Sequence, residues 1–161
     1  MEEDLKEQKS YLSFRLGEET FAANVSKVLN ILEMTKITKV PKAPAHMKGV
    51  INLRGTVLPV IDTRVKLGLS ATDVTVNTCI LVLEVIVEGD ILQVGALVDA
   101  VSEVLEIESE EILPPPSIGN RFKSDFIYGV YKLNDENFIM IFDLNKLFSA
   151  NENQTLNEIS K

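Results

Sequence analysis

A single histidine, a single cysteine and no tryptophan leave this chain of 161 residues with little of the equipment that catalysis uses. Cys79 has no partner for an internal disulfide and lies in a strand-like run, so it reads as a small buried hydrophobe in a reducing compartment. His46 follows Pro44 in a loop, with no cysteine, histidine or carboxylate at ligand spacing, so neither a metal nor any other cofactor is expected. No nucleophile motif surrounds it, as a dyad or triad would require, and it reads as a solvated loop residue. Nor does a glycine-rich loop open a helix after a strand, which removes the usual cradle for nucleotide phosphates. The expectation is a protein that is not an enzyme.

Positive charge is also scarce. Sixteen Lys and Arg stand against 24 Asp and Glu, a net charge of −8, which argues against nucleic acid and against an anionic membrane surface. Long apolar runs are missing too: the longest, Cys79 to Val87, is interrupted by Glu84 and is far too short to cross a bilayer. The first residues, MEEDLKEQKS, contain no apolar segment of the kind a secretory signal needs. Together these point to the cytoplasm and to no direct membrane insertion.

What the chain does have is 45% hydrophobic residues, enough for one good core or two small ones leaning on each other. The stretch Gly49 to Arg64, GVINLRGTVLPVIDTR, places two apolar runs around an Arg54-Gly55 turn and reads as a β-hairpin. Pro59 has no N–H to donate, so its strand is an edge or turns that position out of the ladder. The pattern returns as GVYKLNDENFIMIFDLNKLF. Gly49 to Gly129 is a spacing of 80, Asp62 to Asp143 one of 81, and Phe21–Glu33 aligns with Val94–Glu106 at 73. Three matched blocks in one order indicate an internal duplication.

In chain order, residues 1–10 read as a flexible arm, and Leu12, Phe14 and Leu16 alternate with polar residues as in a half-buried strand. Thr20 to Ala23 returns after Gly17-Glu18-Glu19, and Asn24 or Ser26 caps a helical turn. Leu29 to Met34 and Thr35 to Val40 are expected as strands, then Thr63 to Leu67 as a short helix stopped at Gly68. Polar residues up to Thr75 link the halves. In the second half Cys79 to Val87, Ile91 to Leu97, Val104 to Ile107, Phe126 to Tyr131 and Phe138 to Asp143 read as strands. Asp99 is expected to cap the equivalent turn, and Leu144 to Phe148 to form a short helix. Asp62 and Asp143 read as helix caps in separate halves, and Glu103, Glu106, Glu108, Glu110 and Glu111 as a solvated face. Many short strands, twice over, favour two small closed sheets.

Val25 and Val28 flank the first turn, Val98 and Val101 the second, each pair three residues apart and so on one side of a turn. Either these four line an apolar groove shared by the halves, with Ile31, or they are ordinary core. The residues alone leave both readings open. Grooves of that kind accept amphipathic helices. Glu33 and Arg54 fall on neighbouring elements of the first half, and Arg54 is placed to cap its own turn, to pair with Glu33, or to reach a partner's carboxylate.

The stretch VSKVLNILEMTKITKVPKAPAHMK followed by GVINLRGTVLPVIDTR closely resembles the CheW family of bacterial chemotaxis coupling proteins, over nearly everything from Tyr11 to Phe148. Thr63 departs from the apolar residue expected after the aspartate. The resemblance implies an all-β fold of two similar five-stranded, SH3-like β-barrel subdomains packed together, with short helices. It implies one domain over 11–150, with subdomains at about 11–70 and 76–148, strand exchange between them, and a tail at 151–161. It also implies a non-enzymatic adaptor that joins the regulatory domain of the histidine kinase CheA to the cytoplasmic tip of chemoreceptors, with ring assembly with CheA or with itself as an extension. The receptor's helical hairpin would then face Val25, Val28, Ile31, Val98 and Val101, with Glu33 and Arg54 close by. The kinase would dock on Ile37, Thr38, Val40, Lys42 and Thr56. Three other readings compete: a CheV-like signalling module, a scaffold that assembles through sheet edges, and a small hydrolase or ligand-binding barrel whose groove holds converging polar groups.

Overall fold

A computed structural model describes residues 8–115 and 126–148. Eleven strands follow one another: β1 (Gln8–Leu16), β2 (Glu19–Asn24), β3 (Val28–Glu33), β4 (Met47–Leu53), β5 (Thr56–Asp62), β6 (Cys79–Val87), β7 (Asp90–Val98), β8 (Ala100–Glu108), β9 (Ile112–Leu113), β10 (Ile127–Lys132) and β11 (Phe138–Phe142). One-turn helices α1 (Thr63–Lys66) and α2 (144–148) follow β5 and β11. The strands form two curled sheets, ordered β8-β1-β2-β11-β10-β9 and β3-β6-β7-β5-β4.

The duplication is visible in these two orders. β1–β2 and β6–β7 are the same antiparallel hairpin, and β2–β11 and β7–β5 are the same parallel contact. β8 lies beside β1 as β3 lies beside β6. Each half therefore lends its first hairpin to the other half's sheet. Strands from both sides of residues 70–76 share each sheet, and the chain passes between sheets at 24–28 and at 98–100. One sheet has six strands where five were expected, the sixth being the two-residue β9. Its counterpart in the other sheet is a single bridge, Thr38 to Val50, which is all that forms of the strand expected over Thr35–Val40.

Three apolar cores follow from this exchange. Ile51, Leu58, Val60, Ile80, Val82 and Leu97 fill one sheet, while Tyr11, Ala22, Ile107, Ile139 and Ile141 fill the other. The largest core lies between them and takes the opposite faces of the same strands, including Leu12, Phe14 and Phe21 from one side and Leu81, Leu83, Val94 and Val98 from the other. Because β6 is buried on both faces, Cys79 to Val87 reads as a continuous apolar run and not as an alternation. Phe21 and Phe142 stack at 4.9 Å across the parallel contact of β2 and β11.

Several local expectations change. Residues 8–10 of the expected arm already belong to β1, where Gln8 pairs with Glu108; residues 1–7 and the tail at 151–161 lie outside the described residues. Asn24 caps the turn at Val25–Lys27 by accepting a hydrogen bond from the Ser26 amide. Asp99 caps no such turn, because β8 begins at once and the carboxylate is held by the Arg64 guanidinium and the Gly17 amide. Asp62 does cap α1, and its carboxylate also accepts the Thr72 amide and hydroxyl, which pins the loop after the helix. Thr63 begins α1 and is buried.

Candidate functional site

Arg54 and Gly55 form a two-residue turn with both φ angles positive, 54° and 85°, the geometry that suits the twist of a hairpin. Asn52 Oδ1 accepts the Gly55 amide at 2.8 Å and steadies it. The Arg54 side chain is left exposed. Glu33 is exposed as well, but it pairs with Cys79 at the far end of the sheet, and β3 and β4 are opposite edges of that sheet. Among the described residues the two form no ion pair, so Arg54 is available to a partner's carboxylate.

The valines expected in one groove separate into two environments. Val98 is 0% exposed, within the central core, where the sheets close over its side chain. Val25, Val28 and Val101 are half-buried and pack against the rim of that core. Ile31, 46% exposed, stands opposite Leu81 on the same side of β3 as Val28 opposite Leu83, because a bulge at Leu29 shifts the register between them; Leu29, also 46% exposed, was not singled out from sequence.

The residues expected to meet the kinase also divide. Ile37 packs into the core of its sheet, and Thr38, exposed, holds β4 through reciprocal backbone bonds with Val50, at 2.9 and 2.8 Å. Val40 is half-buried, and Lys42 is exposed in the left-handed region at φ 62°. Thr56 opens a cleft lined by Val57, Pro59, Ile91, Leu92 and Phe148. Val57 is 69% exposed and Ile91 66%, and neither was singled out from sequence.

Pro59 explains why that cleft exists. Val50 spends both its backbone groups on Thr38, so Val50 and Pro59 face each other without hydrogen bonds and the proline nitrogen points away from β4, towards β7. With no N–H to give, β5 joins β7 only from Val60 onward, and the strands part over Thr56–Pro59. The lining is apolar except for Thr56 and Gln93, so the converging polar groups that a hydrolase or ligand barrel requires are not what this cleft supplies.

Among the described residues no group of three His, Cys, Asp or Glu could hold a metal, and no helix is long and apolar enough to cross a membrane. The arrangement offers apolar contact surface and little chemistry.

Comparison with known proteins agrees. The model of the CheW-like domain matches residues 10–152. A probable chemotaxis protein CheW of Rhizobium etli is 38% identical over 91% of each chain. Chemotaxis protein CheW of Klebsiella aerogenes is 32% identical over 95% of this chain and 89% of its own. The crystal structure of the scaffolding protein TtCheW from Thermoanaerobacter tengcongensis has a TM-score of 0.78 and 32% identity, over 90% of both chains. By its sequence, its two exchanged sheets and these relatives, the chain belongs to the CheW-like domain family.

Proposed function

We propose that the protein is a chemotaxis adaptor that couples chemoreceptors to the histidine kinase CheA by holding them on separate parts of one rigid body. The observation that carries this reading is the separation of the exposed candidate positions along the sheet β3-β6-β7-β5-β4. Ile31 and Glu33 lie towards the end where β6 begins, whereas Thr56, Val57 and Ile91 lie at the end where β6 finishes. An apolar position half open to water gains most when a partner covers it, because only the area removed from water contributes.

The receptor's helical hairpin is assigned to Val25, Val28, Ile31, Glu33 and Val101, and the kinase's regulatory domain to Thr38, Val40, Lys42 and Thr56, extended by Val57 and Ile91. Arg54 lies at the kinase end and is reassigned there. An adaptor transmits signal only if its contacts differ in strength between the kinase-on and kinase-off states. A body tied together by a shared central core suits that task, since movement at one face is not absorbed between the sheets.

The test is a reciprocal pair of substitutions, each placing a carboxylate where a partner would exclude water. Val28→Asp should weaken co-sedimentation with receptor fragment by tenfold or more and leave kinase binding intact, while Val57→Asp should do the reverse. Loss of the same partner in both variants, or of neither, would remove the two-face reading.

A further inference from the structure

Val76 is 99% exposed and Val74 56%, in a loop that is anything but loose. Thr72, nearly buried, gives its amide and hydroxyl to Asp62 at 3.0 and 2.9 Å. Thr78, also buried, accepts the Thr75 amide at 2.8 Å, its own amide returns to the Thr75 carbonyl at 3.2 Å, and Thr75 Oγ1 accepts the Asn77 amide at 3.1 Å. The hydrogen bonds fix both ends of the segment and leave the two valines pointing outward. Held on a fixed backbone, the two valines offer apolar surface whose removal from water would favour a partner that covers it.

The place of the loop selects the partner. Thr78 runs straight into Cys79, which is opposite Glu33 on one side and Val98 on the other. Three residues of chain reach no further than about 11 Å, so Val76 lies within a few helical turns of Glu33 and Ile31. The kinase-side cleft at Thr56 and Ile91 is at the opposite end of the same strands.

We propose that the loop from Thr72 to Thr78 is an additional receptor contact, in which Val74 and Val76, beyond the Glu33 end of β3, engage the apolar stripe of the receptor's amphipathic hairpin outside the groove. This inference rests on the receptor face assigned above. Because the threonines order the loop in advance, little conformational freedom is lost when the helix arrives, and two small side chains contribute more than they would on a mobile loop.

The experiment uses the full chain and a receptor cytoplasmic fragment in a co-sedimentation titration, with Val28→Asp beside the double variant Val74→Ser/Val76→Ser. Neither valine is buried, so the double variant should melt as the wild type does. Its receptor affinity should fall about tenfold while kinase affinity is unchanged. Thr78→Val, which removes the hydroxyl that holds Thr75 while keeping both valines, should lose a smaller part of that affinity. Wild-type receptor binding by the double variant, with Val28→Asp defective, would overturn the loop contact and leave the groove standing. If neither weakens the receptor, the receptor face itself is wrong and the inference goes with it.

Discussion

Arg64 Nη1 and Asp99 Oδ2 meet at 3.0 Å at the point where the chain leaves one sheet for the other. Arg64 comes from α1, behind the sheet of β3 to β7, and Asp99 is the single residue between β7 and β8. The same carboxylate oxygen takes the Gly17 amide from the turn of the other sheet, and the guanidinium also reaches the Ser70 carbonyl and hydroxyl at 2.9 and 3.0 Å. Across the repeat, Asn145 of α2 accepts the Ile86 amide, so each helix is tied to the other sheet's hairpin, α2 directly and α1 through Asp99.

The first prediction concerns this latch. Arg64→Met keeps the length of the side chain and removes the charge, leaving Asp99 with only the Gly17 amide. A partly buried, hydrogen-bonded pair of this kind should contribute about 1–2 kcal/mol, between the values for exposed and buried pairs. Asp99→Asn keeps an oxygen for Gly17 and should cost less. Urea unfolding midpoints check both, and a double-mutant cycle should return a coupling of about 1 kcal/mol. An unchanged midpoint for Arg64→Met would show that the sheets are held by the apolar core alone.

A second prediction separates Val98 from the rest of the groove. The central core it belongs to also holds Leu81, Ala96 and Leu16, all fully or nearly fully buried. Val98→Asp would place a carboxylate there without a partner, at a cost of several kcal/mol, a large part of the ~5–15 kcal/mol that holds a domain together. The variant should therefore lose receptor and kinase together, with loss of the cooperative thermal transition in circular dichroism. Val28→Asp, half open to water, should keep that transition. A folded Val98→Asp protein that has lost only the receptor would place this valine back on the surface.

Much of this was legible in the sequence, and the reasons for what was not are physical. The hairpin around Arg54-Gly55, the repeat and the caps at Asn24 and Asp62 depend on local rules: a residue that tolerates positive φ, a period of two, a short oxygen before a helical turn. Exchange of hairpins between sheets is a choice among tertiary pairings, and β1 has the same alternation whether it joins β3 or β8. Asp99 misled because a short acidic residue before an apolar run reads as a cap, while its actual partners, Gly17 and Arg64, are 82 and 35 residues away. Val98 and Val101 share a spacing with Val25 and Val28, but spacing is blind to the fact that Val98 alone of the four ends fully inside the seam. Val57 and Ile91 were missed because exposure at the mouth of a cleft depends on Pro59 parting two strands, and no periodicity reports that.

The third prediction uses the repeat against itself. Gly49 has φ 150°, and a Cβ there would stand 2.7 Å from Ile37 Cγ2 and closer still to the Thr38 carbonyl oxygen. Gly129 is its counterpart: a Cβ would stand 2.9 Å from the Leu113 carbonyl oxygen and closer still to Ile112 Cγ2. Alanine at either position must push a crossing segment off its hairpin, Ile37-Thr38 in one sheet and Ile112-Leu113 in the other. Overpacking of this sort costs about 1–3 kcal/mol, with backbone strain added at Gly49. Both variants should thus lower the urea midpoint, Gly49→Ala somewhat more. Their effects on binding should diverge, because only Gly49→Ala displaces Thr38, Val40 and Lys42 from the face assigned to the kinase. Kinase titrations of the two purified variants, at a temperature where both remain folded, should show a loss of severalfold for Gly49→Ala and wild-type affinity for Gly129→Ala. Equal losses would mean that the kinase senses overall stability and not the segment bridged to Val50, and the kinase face would have to be sought elsewhere on the molecule.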